Sequence, residues 1–123
     1  HDALELAISA TCAAHEDPLI ISVHSFTPRL TGDAQIRPWH VGLLWQEDEA
    51  TARQFMSLLR EDTDFLIGDN QPYNARGFSY SIDCHVVLRD LRHLTLEIRQ
   101  DLISSAADVE DMARKLSAVI CKL

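Results

Sequence analysis

An α/β domain, built on a mixed and largely parallel sheet flanked by helices, is the fold class the sequence predicts. Three observations lead there. Short aliphatic or β-branched runs at 19–24, 40–45 and 94–98 alternate with segments of helical periodicity. Breaker-rich stretches separate them, above all "SFTPRLTGDAQIRP" after Val23-His24 and "GDNQPYNARG" from Gly68. No linker, internal repeat or low-complexity segment divides the 123 residues, so one domain with a real core is expected.

Taken in order, the first segment runs from His1 to about Glu16 as a helix. Leu4, Ile8 and Cys12 fall at helical spacing, Ala7 and Ala14 are good helix formers, and Pro18 ends it. Leu19–His24 reads as a short buried strand. The loop that follows holds two prolines and two arginines and is long enough to be functional. His40–Trp45 is the next strand. From Asp48, Ala52, Phe55, Met56 and Leu59 mark an amphipathic helix with acidic residues at its positive end. Phe65–Gly68 is a short strand, Ser81–Leu91 a shorter helix, and Leu94–Ile98 a strand. Ser105 and Asp108 stand at capping-box spacing before a last helix. Its stripe of Val109, Met112, Ala113, Leu116, Val119, Ile120 and Leu123 reads as core.

The formal charge of −8 argues against a nucleic-acid partner, which needs a basic face. No apolar run reaches the roughly 18 residues of a membrane helix, and "HDALELAISA" has no signal-peptide pattern. Cys12, Cys84 and Cys121 stand far apart with no CxxC pair. That fits reduced thiols in a cytoplasmic protein, most of them buried as small hydrophobes. The chain opens on His1-Asp2 inside a running helix, so the 123-residue domain is expected to be part of a longer protein.

Several residues have the chemistry for a site. His24 ends a strand, where ligands collect in open α/β sheets, and imidazole is the commonest neutral metal ligand. Ser25 points to the opposite face from His24 and lies in no GxSxG elbow, so nucleophilic serine chemistry is disfavoured. In "LTLEIRQDL", Leu94, Leu96 and Ile98 share one face while Thr95, Glu97 and Arg99 share the other. A carboxylate amid such a strand is costly unless paired or used. Glu97 is therefore either the partner of Arg99 in an ion pair or a general base on a rigid strand, with arginine nearby for an anion. His40, His85, Asn70, Tyr73 and Tyr80 are further cleft candidates without diagnostic spacing. There is no HExxH and no glycine-rich phosphate loop.

Four stretches, "ISVHSFTP", "RPWHVGLLW", "GDNQPY" and "LEIRQDLI", resemble the C-terminal half of the N-formylglutamate amidohydrolase family in the same order. The opening "HDAL" resembles that family's mid-chain helix. The family is similar to zinc carboxypeptidases, so the implied fold is part of a zinc carboxypeptidase-like α/β/α sandwich. By that resemblance "SVHS" supplies a zinc ligand, His24, and "LEIR" the catalytic glutamate, Glu97. The remaining ligands are expected N-terminal to His1, from a complementing segment or an oligomer, because a catalytic zinc takes about three protein ligands. The implied substrate is a small anionic N-acyl amino acid such as N-formylglutamate. Arg37 and Arg99, with Arg29 and Arg76 behind them, are the candidates to hold its anionic groups. The competing expectation is a non-catalytic regulatory or interaction domain that keeps the fold without a complete metal site.

Overall fold

A computed structural model describes residues 2–32, 34–73 and 85–123. Helix α1 spans Asp2–Ala14 and strand β1 Leu19–Phe26. Then come β2 (Val41–Leu44), α2 (Glu49–Asp62) and β3 (Ile67–Asp69). Strand β4 (Arg92–Arg99) and helix α3 (Ala106–Ile120) complete the described elements, with short 3-10 turns at Val87–Arg89 and Gln100–Ile103.

The four strands form one sheet in the order β1-β4-β2-β3. β1 pairs parallel to β4 and β2 parallel to β3, while β2 and β4 run antiparallel. The sheet is therefore mixed and largely parallel, flanked by helices as the alternation of patterns predicts. β2, α2 and β3 make a crossover unit.

Helices α2 and α3 start where the sequence supplies a cap. Asp48 accepts the Thr51 amide at 3.0 Å, and its other oxygen accepts the His93 amide at 3.0 Å. One carboxylate thus caps α2 and ties it to the start of β4. Burial alone would push the Asp48 carboxyl up, but the Thr51 hydroxyl and amide and the His93 amide outweigh it and hold it below the ordinary range. Ser105 and Asp108 form the predicted capping box of α3.

The period-2 pattern of β4 then decides the layers. Leu94, Leu96 and Ile98 bury against Phe55, Met56 and Leu59 of α2 and Met112, Leu116 and Val119 of α3. Each large side chain fully removed from water there contributes about 1.5–3 kcal/mol. On the other face Ile8 and Cys12 of α1 pack with Ile20, Val86, Val87 and Leu91. Glu5 of α1 accepts from His85 Nδ1 at 2.7 Å and from Arg89.

Three expectations need correction. β1 is not a buried strand: it is the sheet edge, and Val23, His24 and Ser25 are exposed. The α3 stripe is core only in part. Val109 is 50% exposed, and with Ala113 and Val23 it lines an apolar groove beside β1. Cys121 is exposed and Cys12 half-buried, so the thiols are not mainly core; Cys84 lies outside the described residues. Of the helix expected at 81–91, residues 81–84 also lie outside them, and the described remainder ends in the 3-10 turn Val87–Arg89. Among the described residues no helix is long and apolar enough to cross a membrane.

Candidate active site

Parallel pairing puts the carboxyl ends of β1 and β4 side by side. His24 stands directly opposite Glu97, and Phe26 opposite Arg99. Residues paired in register share a face, so the imidazole and the carboxylate emerge on the same side of the sheet. On its other flank Glu97 faces Gly42 of β2, and Gly42 faces Gly68 of β3. The two glycines leave a trough in that face.

A loop fills the trough. After β3, Asn70 adopts φ +50°, a left-handed conformation that asparagine tolerates. Its amide donates to the Leu43 carbonyl at 2.9 Å, and its side-chain oxygen accepts the Trp45 amide at 3.0 Å. The preceding Asp69 accepts from Trp45 Nε1 at 2.7 Å and from Arg53 at 2.5 Å. So anchored, the chain doubles back across the sheet. A β-carbon on Gly42 would stand 2.0 Å from the Gln71 carbonyl oxygen, and one on Gly68 would stand 2.8 Å from the Gln71 β-carbon. Only glycine allows backbone that close.

The reversal delivers Tyr73 to Arg37. Arg37 Nη1 donates to the Tyr73 hydroxyl at 3.0 Å and to the Thr27 carbonyl at 3.4 Å, and the guanidinium lies 5.0 Å from the Tyr73 ring centre. Glu97 is 6% exposed, and among the described residues its Oε2 has no hydrogen-bond partner. Burial pushes the Glu97 carboxyl above its ordinary range, while the charges of His24 and Arg37 pull it back. A carboxylate in that position is a stronger base than one in water.

The structure thus gathers four of the residues singled out from sequence: His24, Glu97, Arg37 and Tyr73. Arg99, Asn70, His40 and His85 have partners of their own. Arg99 does not pair with Glu97. Its Nε donates to Asp101 and its Nη1 to the carbonyls of Arg37, Pro38 and Trp39. Asn70 is likewise an anchor of the loop. His40 Nδ1 accepts the Leu66 amide at 2.7 Å, and its ring tilts on Phe65. His85 is held by Glu5. Tyr80 and Arg76 lie outside the described residues. Gly42, Gly68 and Gln71 were passed over in sequence. A glycine inside each of two strands is the signal that marks a close backbone approach.

Whether the site suits a metal follows from its donors. His24 is exposed at the strand end, with Nε2 at 2.9 Å from the Ser22 hydroxyl. Among the described residues no cluster of three His, Cys, Asp or Glu is placed to hold an ion. His24 beside Glu97 fits as one donor, short of the roughly three protein ligands that a catalytic zinc would take. The cavity of about 360 Å³ at Glu47, Asp48, Asp90 and His93 lies at the start of β4, the opposite end of the strand from Glu97.

The family model of N-formylglutamate amidohydrolase matches residues 1–104. The chain belongs to that family. It is a family of hydrolases, and the match takes in every residue gathered around Glu97. A search of the curated proteins finds no match. Among solved structures, the gene product Atu2144 from Agrobacterium tumefaciens superposes with a TM-score of 0.81 at 23% identity. The alignment covers 99% of this chain and 49% of that one. At that identity the likeness speaks for the fold, and the family member described here spans about half the length of its structural neighbour.

Proposed function

We propose that the complete protein is a zinc-dependent amidohydrolase that cleaves an N-formyl amino acid, N-formylglutamate in the first instance, to formate and the free amino acid. The observation that carries this reading is Glu97, a buried carboxylate with an oxygen unpartnered among the described residues, set beside His24 and within the field of Arg37 in a member of this family. His24 would be one ligand of the metal, completed by the part of the protein beyond these residues. When bound, zinc supplies a more acidic water and polarises the acyl oxygen.

The chain's own residues do the rest. Glu97 takes a proton from water as its oxygen adds to the acyl carbon. It then passes that proton to the amine nitrogen as the C–N bond breaks. Arg37 offers a fork-shaped cation to the substrate carboxylate, held by Tyr73 and Thr27 so that little freedom is lost on binding. The test is Glu97→Gln in the full-length enzyme. The amide keeps the shape and cannot take the proton, so turnover falls by roughly 10²–10⁴-fold while substrate and zinc still bind. Near-normal turnover in a zinc-loaded variant would end the assignment.

The incomplete donor set among the described residues favours a second reading, a non-catalytic domain of the same fold. It predicts that the full-length protein holds no stoichiometric zinc by elemental analysis and hydrolyses no N-formyl amino acid.

A further inference from the structure

Arg99 is two residues beyond Glu97 on the same face of β4, and its Nε and Nη1 are already engaged. Nη1 donates to the carbonyls of Arg37 at 3.3 Å, Pro38 at 3.0 Å and Trp39 at 3.3 Å. Nε donates to Asp101 at 2.7 Å, and the side chain is only 13% exposed. Its backbone amide donates to the His40 carbonyl at 3.0 Å. Three successive carbonyls aimed at one point repel one another, and a cation among them reverses that cost through charge-assisted hydrogen bonds. Asp101 balances its charge, and among the described residues Arg37 is a cation presented to Glu97.

We propose that Arg99 is a positioning residue for substrate recognition: by gathering the carbonyls of residues 37–39 onto the end of β4, it fixes Arg37 beside Glu97. The backbone of Arg37 is then held from two sides, by Arg99 at its carbonyl and by the Pro28 carbonyl at its amide, 2.9 Å away. Pro38 adds to this by restricting the residue before it. The side chain of Arg37 leaves this fixed base toward Tyr73 and Glu97. The register of an anionic substrate is thereby set from the catalytic strand itself. The inference rests on the proposed function only in that Arg37 meets the substrate's carboxylate.

The experiment uses the full-length enzyme with N-formylglutamate and the variants Arg99→Met, Arg99→Lys, Arg37→Met and the double Arg37→Met/Arg99→Met. Arg99→Met should raise KM by roughly ten-fold or more, with a smaller change in kcat, because Arg37 loses its alignment. In the Arg37→Met background the same change should cost nothing further in kcat/KM, since there is nothing left to position. Lysine can still donate to the three carbonyls, so Arg99→Lys should hold KM within about three-fold of the parent. A residue that gripped substrate bidentately would not be rescued so. Additive losses in the double variant overturn the proposal, as does an unchanged KM in Arg99→Met. If Arg99→Met does not fold, a KM in Arg99→Lys as high as in Arg37→Met overturns it as well. Hydrogen exchange of the ligand-free protein separates this from the activity assignment. Amides 37, 39 and 40 should exchange faster in Arg99→Met while those of α2 do not, whether or not N-formylglutamate is the substrate. Unchanged protection at 37–40 refutes the clamp alone.

Discussion

Replacing Gly42 by alanine puts one methyl group on the residue paired with Glu97, against the backbone of the loop that crosses the sheet. Its β-carbon would stand 2.0 Å from the Gln71 carbonyl oxygen, 3.1 Å from the Gln71 carbonyl carbon and 3.3 Å from Pro72 Cδ. Two of these three atoms are backbone, so the loop must withdraw by roughly 1 Å or more before ordinary contact returns, a shift of the size that costs about 10²-fold in rate when it reaches a positioning group. It does reach one: Tyr73, two residues on, holds Arg37 through a 3.0 Å hydrogen bond. Overpacking costs about 1–3 kcal/mol, and each kcal/mol lowers the Tm of a domain of ordinary size by about 2–8 °C. The expected phenotype is therefore a folded enzyme, slightly less stable, whose kcat/KM for an N-formyl amino acid falls by about 10²-fold. Steady-state kinetics beside a thermal melt measure both. A folded Gly42→Ala enzyme with parental kcat/KM would show that the loop at 70–73 does not bear on the site.

Other expectations follow from single residues. His24→Ala should lower zinc content by elemental analysis and activity together; full occupancy in the variant would remove His24 from the ligand set. Asp48→Ala leaves the amides of Thr51 and His93 without their acceptor and should cost about 1–2 kcal/mol in denaturant melts at neutral pH. Because the Asp48 pKa is lowered in the fold from its ordinary 3.8, that stabilisation is complete above 3.8 and lost as pH falls through the folded value. The parent and variant curves should converge in acid. Glu97 has the opposite sign. Its folded pKa is raised above 4.5, so ionisation costs stability increasingly as pH climbs from there through the folded value. In chelated, metal-free protein Glu97→Gln should therefore be the more stable at neutral pH and lose that advantage toward pH 4; a variant less stable at pH 7 would favour a structural role for the carboxylate.

What the sequence disclosed was what is local. The two faces of β4, the Asp48 and Ser105 caps and the helical stripes rest on periods of 2.0 and 3.6 residues and on contacts within one turn, all readable in order along the chain. The adjacency of His24 and Glu97 is another matter. Seventy-odd residues apart, they became plausible partners through resemblance, and only the parallel register of β1 and β4 sets them side by side. The burial of β1 was misjudged because an aliphatic run reads alike in a central strand and in an edge strand, and strand order is not written locally. Arg99 is a similar case. A guanidinium beside a carboxylate in sequence has no fixed partner until the fold brings up the carbonyls of 37–39 and the Asp101 side chain.

β4 shows why these two kinds of information meet at one place. Leu94, Leu96 and Ile98 lock the strand against α2 and α3, so Glu97, interleaved with them, inherits the rigidity of the core. Arg37 and Tyr73 have no such anchor of their own, since both come from loops. Their precision is imported. Arg99 holds one loop to the end of β4, and Gly42 and Gly68 let the other lie against β2 and β3. A change in the leucine face should thus act first on stability, whereas a change in the arginine clamp or the glycine trough should act first on recognition, although all of them lie on or against the same sheet.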